Sequence, residues 1–308
     1  MAAAARLMPN GSSYGRRGYA AISMDLSGRR PYRGRLTDGG PEQNNPEKFE
    51  VIDQEYTEQW PYHSVSNIIR AHSLIRSFPE VDKRRTAITG ISWGGYLTCM
   101  VVGIDNRFKA AVPVYGCGFL HDNAVWDNCF NKLTPEQCKK WTSLWDPAQY
   151  LAATDMPILF MNGTNDFAYP LDIYLKSYDL VPAKKQMCVT VNMPHSHPAG
   201  WAPKEIGLFI DHHLLDKPAL PAIDEITATD GVVSGEVKND VKLSKAELHF
   251  TTDGGPVNRR QWTTVAAKID GRKISAEGLP KEATAWFLTV RDDRDGVVSS
   301  RVELAEPK

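Results

Sequence analysis

Thr89-Gly90-Ile91-Ser92-Trp93-Gly94-Gly95 is the stretch whose reading decides the fold. A short apolar run, Ala87 to Ile91, leads into the serine, and a helix-like run, Tyr96 to Ile104, leads away from it. Strand, sharp turn and helix, with serine at the apex of Gly-x-Ser-x-Gly, lift a hydroxyl clear of a sheet. The apex residue must take a strained backbone, and side chains two positions to either side would collide in so tight a turn, which assigns Gly90 and Gly94. Gly95 lets the helix pack close to the strand. The helix N-terminus then aims free N–H groups and its positive end at the place where an oxyanion would form. Ser92 is therefore the candidate nucleophile. The plainer alternative is a glycine-rich turn whose serine caps the helix.

Outward from this turn, further strand-like apolar runs are Ala110 to Tyr115, Met156 to Met161 and Met187 to Met193, with helical patterns over 171–181 and 203–215 between and after them. Upstream, Gly18 to Asp25 is of strand length, residues 27–60 are polar and read as a long surface loop, and Val65, Ile68, Ile69, Leu74 and Ile75 follow a helical period that Pro79 ends. Residues 1–17 read as irregular. Strands alternating with helices predict a doubly wound, mostly parallel α/β sheet.

A serine hydroxyl needs a base, and the base needs a carboxylate that holds its tautomer. The strand Ile158 to Met161 runs into Asn162-Gly-Thr-Asn-Asp166-Phe-Ala-Tyr169-Pro170, a loop at the carboxyl end of a parallel strand, where such sheets build their sites. Asp166 is the candidate acid; the alternative is a loop-capping aspartate. The last sheet strand runs into Pro194-His195-Ser196-His197, and either histidine is a candidate base. His195, directly at the strand end, is favoured, leaving His197 to line the pocket or orient the loop. No third and fourth ligand stands near them, so no metal is expected. His212 and His213 beside Asp211 read as a solvated helix face.

Residues 117–150 interrupt the alternation with Trp126, Trp141, Trp145 and a helix start at Thr134-Pro135-Glu136. They are either a cap over the substrate pocket, with Trp126 and Tyr169 lining it, or a helical insert with its own small core. At Lys217-Pro-Ala-Leu-Pro221 the helical period stops, and alternation at Ala246, Leu248, Phe250 and at Trp286, Leu288, Val290, with Asp-Gly turns at 253, 270 and 295, takes over. The expected organisation is a catalytic domain over 1–216, a stiff linker over 217–221, and a small antiparallel β-sandwich of immunoglobulin or fibronectin type over 222–308, acting as an accessory module.

The composition is ordinary for a globular chain: 308 residues, 42% hydrophobic and 24% charged. A formal net charge of −1 offers no field for nucleic acid and no polybasic segment for a membrane. The opening is too short and weakly apolar for a signal peptide, so the chain reads as cytoplasmic, or as the body of an exported protein. Five cysteines without Cys-x-x-Cys argue against a zinc site or a disulfide framework. Cofactors are not expected.

The segment Gly18 to Leu215 resembles the α/β-hydrolase superfamily, in its dienelactone hydrolase, acetyl xylan esterase and prolyl-oligopeptidase-like branch. Gly90-Ile-Ser-Trp-Gly-Gly95, Asn162-Gly-Thr-Asn-Asp166 and Pro194-His-Ser-His197 carry the likeness, and the order Ser, Asp, His is that of the superfamily. The resemblance implies Ser92 as nucleophile, Asp166 as acid, His195 as base and the Trp93 backbone N–H as one oxyanion donor. The chain departs from the pattern at its start, where a further strand and a His-Gly-Gly type loop would supply the second donor. The strand before Ser92 is then expected to find a substitute neighbour. Either the Gly18–Asp25 strand shifts beside it, or a second subunit covers it, which makes a homo-oligomer the expectation.

The leading expectation is a serine esterase acting on small, acetyl or short-chain, ester molecules. The alternatives are a prolyl-oligopeptidase-like peptidase and a degenerate hydrolase that serves as a binding or scaffold protein.

Overall fold

The computed structural model describes residues 5–7, 15, 17–29, 34–238 and 241–305. In the first part of the chain the strands are β1 (Ala5–Leu7), β2 (Ile22–Met24), β3 (Ala87–Ile91), β4 (Ala110–Val114), β5 (Ile158–Gly163) and β6 (Lys185–Thr190). The order β3-β4-β5-β6 is parallel throughout, with Thr89 opposite Val112 and Met161 opposite Cys188. Every residue of β4 and β5 is buried, the continuous apolar reading that a sheet covered on both faces demands. The connecting helices are Trp60–Ile75, Trp93–Val101, Leu171–Leu180 and, after β6, Lys204–Leu215.

β2 does not slide in beside β3. It pairs antiparallel with β1, Ser23 opposite Arg6, in a two-stranded sheet of its own, and β3 is the end of the large sheet among the described residues. Substitution by the Gly18–Asp25 run is thus corrected. That run yields three strand residues, already partnered by a strand in the opening read as irregular. The rest of that opening, residues 1–4, 8–14 and 16, lies outside the described residues.

The segment read as a surface loop is also corrected. Phe49 and Ile52 are 1% exposed, and Trp60, which opens the helix behind them, is fully buried. Pro46–Glu50 forms a short π-helix that presents Phe49 to the insert, where it stacks on Trp141 with ring centroids 4.7 Å apart. The insert's helix Pro135–Trp145 starts as its sequence predicts, with Thr134 and Gln137 in a reciprocal capping box. Of the insert's tryptophans, Trp126 and Trp141 pack against Phe49 and Trp145 against Tyr56.

Beyond residue 217 lie β7 (Ala222–Ile223), β8 (Thr227–Thr229), β9 (Val232–Lys238), β10 (Leu243–Thr251), β11 (Thr263–Ala266), β12 (Lys268–Asp270), β13 (Lys273–Glu277), β14 (Ala285–Asp292), β15 (Val297–Ser299) and β16 (Glu303–Leu304). One antiparallel sheet runs β12-β13-β9-β7, with β8 also on β9. The other, β11-β10-β14-β15 with β16 also on β14, continues through β15 into β6 at the pair Ser299–Met187, making a nine-stranded sheet with the parallel strands. A short antiparallel strand pair here carries the parallel sheet into the C-terminal one. The seam is reinforced: Ser299 Oγ accepts from the Val189 N–H at 3.1 Å, Arg301 pairs with Asp179 at 2.8 Å, and Glu205 accepts from the Val297 N–H at 2.6 Å. The 217–221 run is held too, since Arg294 donates to the carbonyls of Pro218 and Ala219, both at 2.7 Å.

Candidate active site

Ser92 sits where β3 ends and the helix Trp93–Val101 begins, at φ 57° and ψ −118°. Such a conformation is a strained one for a residue with a side chain, and the surroundings enforce it. A Cβ at Gly90 would collide with the Gly94 carbonyl, and one at Gly95 would collide with the Val114 carbonyl of β4. Gly94 differs from the expectation: a Cβ there meets nothing, so the steric demand of the turn falls on Gly90, which faces the Gly94 backbone. The Ser92 N–H donates to the Val114 carbonyl at 3.0 Å, tying the apex to the neighbouring strand. The Trp93 N–H belongs to the first turn of the helix, in the position expected of an oxyanion donor.

Asp166 lies in the loop after β5, buried, and its two oxygens have different work. Oδ1 accepts from the N–H groups of Ala168 and Tyr169, at 2.9 and 2.7 Å, which fixes the carboxylate plane. Oδ2 lies 2.7 Å from His195 Nδ1. An ionised carboxylate can only accept, so Nδ1 carries the proton and the lone pair of Nε2 faces outward. There it meets Ser92 Oγ at 2.9 Å. The three residues singled out from three separated motifs thus form one hydrogen-bonded chain. His197, the competing base, stands exposed at the first position of the helix His197–Trp201, with no hydrogen bond to Ser92 or Asp166.

Tyr115 was hidden from sequence reasoning. It directly follows β4 at φ 68°, stacks its ring on His195 at 4.5 Å, and donates its hydroxyl to the Pro194 carbonyl at 2.7 Å. Burial pushes that phenol up to about 12, so it remains a donor. The available signal was its place at the carboxyl end of a central strand. Phe167, largely exposed, approaches the other side of His195 at 4.9 Å.

Trp126 and Tyr169 join this cluster from the insert and the acid loop. Tyr169 is fully buried 6.1 Å from His195, its hydroxyl without a hydrogen-bond partner of good geometry, and Trp126 lies 5.9 Å from Tyr169. The Trp126 indole donates to the Ala168 carbonyl at 2.7 Å, so the insert is pinned to the acid loop. From Trp126 the rings continue to Trp93 at 5.4 Å and Phe49 at 6.1 Å. His212 and His213 correct the solvated-face reading. Asp211 beside them receives Arg17 at 2.5 Å and Tyr19 at 2.8 Å, and burial lowers His213 to about 4.

Residues 43–203 match the Prolyl oligopeptidase family. The uncharacterized peptidase YuxL of Bacillus subtilis is 31% identical over 105 residues, which are 32% of this chain and 16% of that protein. The acetyl esterase Axe7A of Xylanibacter ruminicola is 23% identical over 200 residues, 58% of this chain and 43% of that one. The chain spans less than half the length of these curated relatives. Among solved structures, an acetyl xylan esterase from Paenibacillus sp. R4 superposes with a TM-score of 0.55 at 20% identity, covering 65% of this chain and 68% of that one. That from Thermoanaerobacterium sp. JW/SL YS485 gives 0.53 at 18%, covering 66% and 68%. These structural likenesses show an α/β-hydrolase fold. With just over half of its length matched, from before the first long helix to beyond His195, the chain belongs to the prolyl oligopeptidase family.

Proposed function

We propose that this protein is a serine hydrolase of small carboxylic esters, acetyl or short-chain, working through Ser92, His195 and Asp166. The observation that carries the reading is His195 bridging Ser92 Oγ and Asp166 Oδ2 at 2.9 and 2.7 Å. Ser92 Oγ attacks the ester carbonyl while its proton passes to His195 Nε2. Asp166 steadies the imidazolium, and its two backbone donors keep it aimed. Charge on the carbonyl oxygen develops toward the Trp93 N–H and the positive end of its helix. His195 then protonates the departing alcohol, and a water attacking the acyl-enzyme returns Ser92 by the same path.

Two relatives named as acetyl and acetyl xylan esterases support the ester reading, and the family name and the relative named a peptidase favour amide cleavage as the second reading. Nitrophenyl acetate, acetylated sugars and aminoacyl nitroanilides, assayed side by side, separate the two. Higher kcat/KM on the acetyl esters is expected, and turnover confined to the anilides overturns the ester reading. A fluorophosphonate should label Ser92 and no other serine. Absence of labelling, with no turnover of either class, would leave a binding or scaffold protein as the answer.

A further inference from the structure

Six charged side chains lie buried among the described residues, and five are answered by other groups of the chain. Asp105 receives His72 and Arg107, Asp146 receives the N–H groups of Phe119, Leu120 and Ala148, and Asp292 receives Arg294. Glu205 receives the Val297 N–H, and Asp166 receives His195. The sixth is Lys48, 6% exposed, whose ammonium has no hydrogen bond and no ion partner. Its Nζ stands 3.8 Å above the ring of Trp93, the residue that follows Ser92, and 5.9 Å from the ring of Trp60.

A buried cation that meets aromatic faces and no anion among the described residues is an incomplete arrangement. The π-clouds return part of the lost hydration, and the strong charge-assisted hydrogen bonds that an ammonium makes remain unused. The chain holds the group there firmly. The Lys48 carbonyl accepts the Trp141 indole N–H at 2.8 Å, and its neighbour Phe49 is stacked on the same ring. The titratable group that acts on its charge is Cys129, a buried thiol whose pKa burial pushes up. An anion that fits here comes with a ligand, and Trp93, whose ring carries the ammonium, directly follows Ser92 in the chain.

We infer that Lys48 is the docking group for a carboxylate on the substrate, so that the esters cleaved at Ser92 are monoanions. This inference rests on the ester-cleaving reading of the site. One point charge among Trp93, Trp60 and Phe49 suits a single carboxylate on an otherwise apolar or planar group. A phosphate dianion calls for a second cation or an Arg fork, and neither flanks Lys48 among the described residues. The carboxylate can lie on the acyl or on the alcohol side of the ester; both present the same chemistry to the ammonium.

The test compares kcat/KM for charged esters and their neutral counterparts within each enzyme. Mono(4-nitrophenyl) adipate against 4-nitrophenyl hexanoate examines the acyl side, and 4-acetoxybenzoate against its methyl ester examines the alcohol side. In the wild type one charged member should exceed its neutral counterpart by about tenfold or more. Lys48→Met should reduce that ratio at least tenfold, whereas Lys48→Arg, which keeps the charge, should preserve part of it. The same ratio in wild type and Lys48→Met overturns the inference. So does an equal loss on charged and neutral esters, which would place Lys48 in oxyanion stabilisation or in folding. Binding of adipate monoanilide, read by quenching of tryptophan fluorescence, needs no turnover. Saturable quenching that Lys48→Met abolishes supports the docking group even if no ester is cleaved, and its absence in the wild type overturns it. Failure of the ester reading itself appears separately, as turnover confined to the anilides or as loss of Ser92 labelling.

Discussion

Two regions converge on Ser92, and they are built in opposite ways. On one side, Asp166 and His195 stand on loops at the ends of adjacent parallel strands, and each is fixed by two or three hydrogen bonds of good length. On the other, Lys48, Phe49, Trp93 and Trp126 form a wall from three distant stretches of chain, held almost wholly by ring contacts. The first region is a device of direction: a few atoms must point correctly, and displacement of one disables it. The second is a device of shape and environment, in which many contacts share the load. Damage to the first should therefore appear in kcat with the fold intact, and damage to the second in stability and KM.

The largest effect expected is for Ser92→Ala, which removes the attacking atom and leaves no charge unpaired. Turnover should fall by roughly a factor of 10⁶ with the melting temperature nearly unchanged. More than a tenth of the wild-type rate remaining would remove Ser92 from the mechanism. Asp166→Asn preserves the shape of the loop but offers His195 the wrong partner, and kcat should drop by about 10⁴. His197→Ala, made in parallel, should change KM only modestly, because the side chain is exposed and apart from the chain of hydrogen bonds. Equal losses from His195→Ala and His197→Ala would overturn the choice between them.

On the wall, Phe49→Ala should destabilise the protein by about 3–5 kcal/mol, the range for emptying a packed aromatic site. Phe49 touches Trp93, Trp126, Phe130 and Trp141, so the loss should also loosen the insert. Chemical denaturation gives the first number, and a raised KM with kcat changed less than tenfold gives the second. A Phe49→Ala protein with native stability would break the contrast between the two regions.

The contrast also explains what sequence reading could see. Ser92, Asp166 and His195 were legible because direction at strand ends leaves a local trace: glycines where no Cβ fits, an aspartate or a histidine immediately after an apolar run. The fold followed from the same runs. Phe49 and Lys48 left none. They sit among Asn, Glu, Gln and Asp residues with no helical or alternating period, and their burial is decided by Trp141, some 90 residues on. Tyr115 reads as one more strand residue until its positive φ is known. The join of β6 to β15 is likewise non-local, since Met187 and Ser299 meet across a turn of topology that no motif marks. Pairing of the β3 edge with a second subunit remains a proposal, which light scattering across a dilution series checks. A monomer at every concentration, with full activity, rejects it.

The smallest expected effect concerns Lys48, and its sign is the reverse of the others. Burial lowers the Lys48 amine from its ordinary value of 10.5 to about 8, because the charged form loses its water. Above about pH 10.5 the amine is neutral whether the chain is folded or not, and burial of charge carries no penalty. As pH falls from there to 8, the unfolded chain takes up its proton first, and the folded state loses stability by up to about 3 kcal/mol. Below pH 8 both states are charged and the penalty is constant. The stacking of the ammonium over Trp93 stands outside that balance and offsets roughly 2 kcal/mol of it, an attraction that Lys48→Met forfeits. Lys48→Met fills similar volume without charge, so at pH 7 it should be more stable than the wild type by about 1 kcal/mol. Thermal melts at pH 7, 9 and 10.5 test this: the advantage of the variant should be full at 7 and shrink toward the alkaline end. A variant less stable at pH 7 would mean that the chain itself satisfies the ammonium, and that no anion is needed to complete the wall.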